Sequence, residues 1–237
     1  MKFVLKLQKV DPATKQKDVS EKMRQILIDW LVDVHESFEL KEQTLHLALS
    51  YLSDYSALKD ISKDEYQLVG ITCLWIASKY EEIYPPRTRN YIEVTADSYS
   101  LNDLKRTEGK IIEALDFNLN RSTSLQILEA ISESIDEKSV SLCKYLLEYS
   151  IFTGLSKDYT PSTLVTSALS LCESIFKIKL DVKLPDPARV PKEKIVACFK
   201  EMCSLMESAK NHDLKAIKRK YMKGKYQGVS KLSISIE

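Results

Sequence analysis

Five glycines and seven prolines are all the punctuation this chain of 237 residues carries, and long amphipathic stretches run between them. Those two residue types supply the conformations of tight turns and the breaks that stop helices, so a chain poor in both makes few turns and long helices. An all-α fold follows. Length adds a second bound, because domains commonly run to about 100 to 200 residues, and two helical bundles are the expectation.

Apolar periodicity places a first helix from Ser20 to Phe38, with Ser20 as its N-cap, and a second from Lys41 to Tyr55. A third, from Lys63 to Tyr80, is apolar around most of its circumference and reads as the buried centre of a bundle. Pro85 and Pro86 end it. A short helix near Thr88 to Val94 and a longer one from Leu101 to Leu115 complete five, and Asp116 to Ser122 breaks the pattern. The layout then recurs, with helices over Ser124 to Ile135, Glu137 to Thr153, Thr160 to Ile178 and Pro191 to Lys210, and a terminal element from Asp213 to Met222. The third of these is again the most apolar. The expected organisation is a short N-terminal segment over 1–19, a first bundle over 20–120, a second over 121–210, and a C-terminal element and tail over 211–237, each bundle having about five helices around its third. Lys177 to Val190, with Pro185 and Pro187, is expected to be irregular.

Composition narrows the function classes. Thirty-five basic and 34 acidic residues leave a net charge of +1, which suits a soluble globular protein and gives the chain as a whole no pull towards nucleic acid. Cys73, Cys143, Cys172, Cys198 and Cys203 fall inside helical patterns without CxxC spacing, as expected of reduced, buried thiols in an intracellular protein. There is no glycine-rich phosphate loop, no His-Glu-x-x-His and no zinc spacing, and His35, His46 and His212 are scattered, so catalysis, a metal and other cofactors are not expected. Lys2, Lys6 and Lys9 interrupt Met1 to Val10, and no stretch approaches the roughly 18 consecutive apolar residues of a membrane span. Neither a signal peptide nor a membrane anchor is expected.

The first helix carries more apolar surface than a peripheral helix needs. At about 100° per residue, Met23, Ile26, Leu27, Trp30 and Val34 fall on one side and Ile28, Leu31 and Val32 on another, leaving only Gln25, Asp29, Asp33 and Glu36 as a polar strip. Either the helix is sandwiched within its bundle or one face is exposed for docking. Periodicity alone favours the sandwich. Two charges also lie on apolar stripes: Lys79 among Leu68, Ile71 and Trp75, and Glu108 among Leu104, Ile111 and Leu115. A salt bridge or a snorkelling end that fastens the third helix to the fifth is the simplest reading.

The run from Met23 to Val34 resembles the opening helix of the cyclin box in A- and B-type cyclins. The resemblance continues through Glu42 to Ala48, Gln67 to Gly70, and Ala77 to Pro86, and near the end Lys220-Tyr221 and Lys225 to Ser230 are most similar to A-type cyclins. It covers about residues 20 to 230, strongest in the first half. It implies two tandem cyclin-box bundles and a non-catalytic subunit that binds and activates a cyclin-dependent serine/threonine protein kinase in cell-cycle control, in nucleus and cytoplasm.

The resemblance also implies site residues. Met23, Ile26, Leu27 and Trp30 would line a groove for Arg-x-Leu motifs of substrates or inhibitors, with Gln67 bonding the peptide backbone and Asp33 pairing with its basic residue. Lys79 and Glu108 would bind backbone groups of the kinase's regulatory helix. Ile76, Tyr80, Ile112, Phe117 and Leu119 would line an apolar seat for that helix, with Glu81, Glu82 and Ile83 at its rim. Both roles of the Lys79 and Glu108 pair can hold together.

Two features depart from the family pattern. Arg24 lies on the second apolar side of its helix, and where typical cyclins place an acidic partner this chain has Ser53, with Asp54 one residue on and about 100° round. A register shift, a bond to Asp29 or a backbone carbonyl, or a weaker site are the open outcomes. The N-terminus is also short for a mitotic cyclin, and Phe3 to Val10 is ambiguous between helix and strand. A DNA-binding general transcription factor of the same fold is the competing reading, resting on Lys215, Lys218, Arg219, Lys220, Lys223 and Lys225. A solvated helix face is the simpler account of that cluster, and neither nucleic acid nor membrane is expected as a partner.

Overall fold

A computed structural model describes residues 16–182, 191–209 and 212–232. The segments Phe3 to Val10 and 183–190 lie outside the described residues. Ten α-helices and no strands are present among those described. The first five are α1 (Glu21–Ser37), α2 (Glu42–Leu58), α3 (Tyr66–Glu81), α4 (Thr88–Glu93) and α5 (Leu101–Ala114), and the second five are α6 (Ser124–Glu129), α7 (Glu137–Thr153), α8 (Pro161–Phe176), α9 (Lys192–Ala209) and α10 (Ala216–Met222).

Local chemistry sets most of these ends. The Ser20 hydroxyl accepts the Met23 N–H at 3.3 Å, and Ser100 and Thr123 form capping boxes with Asp103 and Gln126. Asp136 caps α7, which stops at Gly154, a left-handed residue at φ 89°. Thr160 caps α8 ahead of Pro161, whose missing N–H is no loss in a first turn. The helix expected over Ser124 to Ile135 breaks after Glu129. There the Ser132 hydroxyl donates to the Glu129 carbonyl at 2.8 Å and competes for an acceptor the helix would have used. Within the terminal element expected over Asp213 to Met222 the helix starts at Ala216, whose N–H donates to Asp29 of α1 at 2.8 Å.

Each half is built around its third helix. Every residue of α3 from Leu68 to Ser78 is buried, and α1, α2, α4 and α5 pack on it. Gly70 permits that closeness, since a Cβ there would sit 2.8 Å from a Leu27 methyl. In the second half α8 takes the same place between α6, α7 and α9. All five cysteines are buried and unpaired in disulfides, with Cys143 and Cys172 in sulfur contact at 3.3 Å.

Arg24 joins the halves. Its guanidinium donates to the carbonyls of Ile151 and Phe152 at 3.0 and 2.6 Å and to Glu21 at 2.7 Å, so backbone at the C-terminal end of α7 replaces the acidic partner on α2. A cation is favoured there by the spare acceptor capacity of the last carbonyls and the negative dipole of a helix terminus. Asp54, left free of Arg24, pairs with Arg121 at 2.7 Å.

Candidate functional site

The C-terminal end of α3 and the turn after α5 form one exposed apolar corner. The turn after α5 is held to α2, whose Tyr51 hydroxyl donates to the Leu119 carbonyl at 2.7 Å. Tyr80 is 51% exposed, Ile83 79%, Tyr84 91% and Phe117 76%, values far above those of neighbouring core residues. Pro85 and Pro86 keep α3 from continuing and leave Ile83 and Tyr84 on an open turn. Asp116 and Phe117 both adopt left-handed backbone, φ 53° and 54°, which is costly for a bulky residue and holds the phenyl ring away from the core.

The charged pair lies beside this corner. Lys79 donates to Glu108, which ties α3 to α5, and its ammonium sits 3.6 Å above the centre of the Trp75 ring. The Lys79 side chain stays 39% exposed, so internal pairing and contact with a partner are compatible.

The other residues named for the seat divide. Ile112 and Leu119 are half-buried against the core, whereas Ile76, at 2% exposure, is floor with almost no surface to offer. Glu82 accepts the Lys41 N–H at 2.8 Å and the Thr44 hydroxyl at 2.5 Å, and so caps α2. Glu81 is half-buried, and its carbonyl receives the Lys41 ammonium at 2.8 Å. Tyr84 escaped sequence reasoning as a site residue. Its signal was position, between Ile83 and the two prolines that forbid further helix.

The opening helix divides as well. Ile28, Leu31 and Val32 are core, as are Leu27 at 6% and Val34. Met23 and Trp30 are half-buried and Ile26 is 47% exposed, with half-buried Gln67 on α3. One side is therefore sandwiched and the other partly open. Leu27 forms the floor of that open side, wedged against Gly70.

Asp33 is already engaged, receiving both of its oxygens' bonds from Arg219 of α10 at 2.6 and 2.7 Å. That bond raises the Arg219 pKa further, and burial raises that of Asp29, opposed by the Ala216 N–H. Glu36 receives Lys223 and lies 3.6 Å from Lys225. Lys220 is no solvated residue: it is enclosed with Glu148 of α7 at 2.6 Å. Arg219, Lys220, Lys223 and Lys225 of the basic cluster thus face acids of α1 and α7 within the chain, which weakens its claim as a phosphate-binding stripe. No group of side chains among the described residues is arranged to hold a metal, and no described helix is long and apolar enough to cross a membrane.

The comparisons with known proteins agree with this architecture. The cyclin N-terminal domain matches residues 3–120 and the cyclin C-terminal domain residues 114–235. Putative cyclin-A3-1 of Arabidopsis thaliana is 34% identical over 232 residues, covering 94% of this chain and 65% of that protein. G2/mitotic-specific cyclin-A of Patella vulgata is 35% identical over 228 residues, covering 92% and 52%, and G2/mitotic-specific cyclin-B of Marthasterias glacialis is 30% identical over 220, covering 91% and 57%. The chain spans between half and two-thirds of the length of these relatives. Among solved structures, a viral cyclin from herpesvirus saimiri superposes with a TM-score of 0.66 at 20% identity, covering 80% of this chain and 87% of that one. The chain belongs to the cyclin family, and its relatives include both A-type and B-type cyclins.

Proposed function

We propose that this protein is a regulatory subunit that binds and activates a cyclin-dependent serine/threonine kinase, acting in the nucleus and cytoplasm during cell-cycle progression. The observation that carries this reading is the corner of Tyr80, Ile83, Tyr84 and Phe117 beside the Lys79 and Glu108 pair, an apolar surface with polar groups ready for backbone. It suits an amphipathic helix laid against it. The subunit does no chemistry. By binding the kinase's regulatory helix in one position it favours the conformation in which the catalytic ion pair forms and the activation segment opens. Solved complexes described as a yeast RNA polymerase II CTD kinase and a Chaetomium thermophilum CAK complex contain chains of this fold, with TM-scores of 0.62 and 0.57, each at 12% identity.

The same reading assigns the open side of α1, with Met23, Ile26 and Trp30 above Leu27 and beside Gln67, to recruitment of Arg-x-Leu segments. A pull-down with the full chain from cell extract, followed by a kinase assay with and without an Arg-x-Leu peptide, tests both parts. Recovery of a kinase activity that the peptide inhibits on motif-bearing substrates supports them. A pull-down without kinase activity overturns the first, and activity indifferent to the peptide overturns the second.

A further inference from the structure

Asp33 lies three residues after Trp30 and seven after Ile26, in line with the open apolar side of α1. A single nitrogen of Arg219 bridges both its carboxylate oxygens, at 2.6 and 2.7 Å. The other two acids of the strip are also engaged, Asp29 by the Ala216 N–H and Glu36 by Lys223. We infer that Arg219 is a specificity-determining residue: it occupies the acid beside the groove as a built-in cation, so docking segments are selected by their apolar side chain and their basic residue is discounted. This inference rests on the reading of the α1 face as a peptide groove. Both side chains are more than half exposed, 57% for Arg219 and 51% for Asp33, so the pair is exchangeable: an incoming guanidinium gains Asp33 only by displacing one already there. Exchange of equal charges leaves little net attraction.

The test measures binding of two synthetic peptides to the full chain, one containing Arg-Ala-Leu and one with citrulline, neutral and nearly isosteric, in place of the arginine. Wild type should bind the two within about twofold of each other. Arg219→Ala should improve the arginine peptide by roughly two- to fivefold, the range of an exposed ion pair, and leave the citrulline peptide unchanged. Arg219→Lys should restore the wild-type ratio, and high salt should erase the gain. An equal change for both peptides, or none, overturns the inference. Trp30→Ala separates the two claims: if it leaves peptide affinity intact, the groove reading fails and the inference with it. If it abolishes binding while Arg219→Ala does not separate the peptides, only the inference fails.

Discussion

Lys220 and Glu148 meet at 2.6 Å with both side chains completely enclosed, joining the C-terminal helix α10 to α7. The Tyr221 hydroxyl donates to the same carboxylate oxygen at 3.0 Å. Burial pushes the Glu148 carboxyl above its ordinary range, and the Lys220 ammonium is the strongest influence opposing it. Removing one partner strands the other charge, so Lys220→Ala should lower stability by about 3 to 5 kcal/mol in urea unfolding. Lys220→Met combined with Glu148→Gln should recover much of that loss, and additive single-variant losses would mean the two do not act as a pair.

Stability should fall on acidification. Burial holds His35 down to about 4 and His46 to about 3, against an ordinary 6.5. Unfolding lets both take protons below pH 6.5, so the unfolded state binds more protons and folding weakens from there down to the folded values. At about pH 5 the cost is about 2 kcal/mol for each histidine. Glu148, its pKa raised, works in the opposite sense and offsets part of it. Urea midpoints measured from about pH 7 to pH 5 should decline, and replacing His35 and His46 with Gln should flatten the slope.

Arg24→Ala removes a charged donor from two carbonyls of α7 and should cost about 2 to 3 kcal/mol in the same assay. The loss should appear as looser association of the two halves, read as faster amide exchange at Ile151 to Gly154. Unchanged exchange there would place the role of Arg24 elsewhere.

Trp30→Ala should weaken an Arg-x-Leu peptide by about 30-fold, the effect of losing about 2 kcal/mol of a central aromatic anchor, while kinase binding stays near wild type. Loss of both together would identify this face as core.

Much of the fold was legible because periodicity and caps agreed. Ser20, Thr160 and the two prolines after α3 mark ends that the structure also marks, and the apolar third helix of each half is central in both. What stayed hidden depends on contacts between distant segments. The partners of Arg24 lie more than a hundred residues away on backbone carbonyls, which no side-chain pattern advertises. The basic run of α10 read as a solvated face because Glu148, on the distant helix α7, gave no sign of awaiting Lys220. Amphipathic angle separated the two sides of α1 but not their fates, since Leu27 and Ile26 share a side and only Leu27 meets Gly70. At the exposed apolar corner, Lys79 and Glu108 stood out as charges on apolar stripes, while Phe117 owes its exposure to a left-handed turn.

The most direct test is the rate at which the kinase recovered with this chain phosphorylates a substrate lacking any docking motif, compared between wild type and Lys79→Ala, with folding checked by thermal melting. Activation should be lost in Lys79→Ala while the variant remains folded, because a partner's backbone would lose its charged donor at the centre of a desolvated interface. An unchanged phosphorylation rate would contradict the assignment of this corner and the regulatory role built on it.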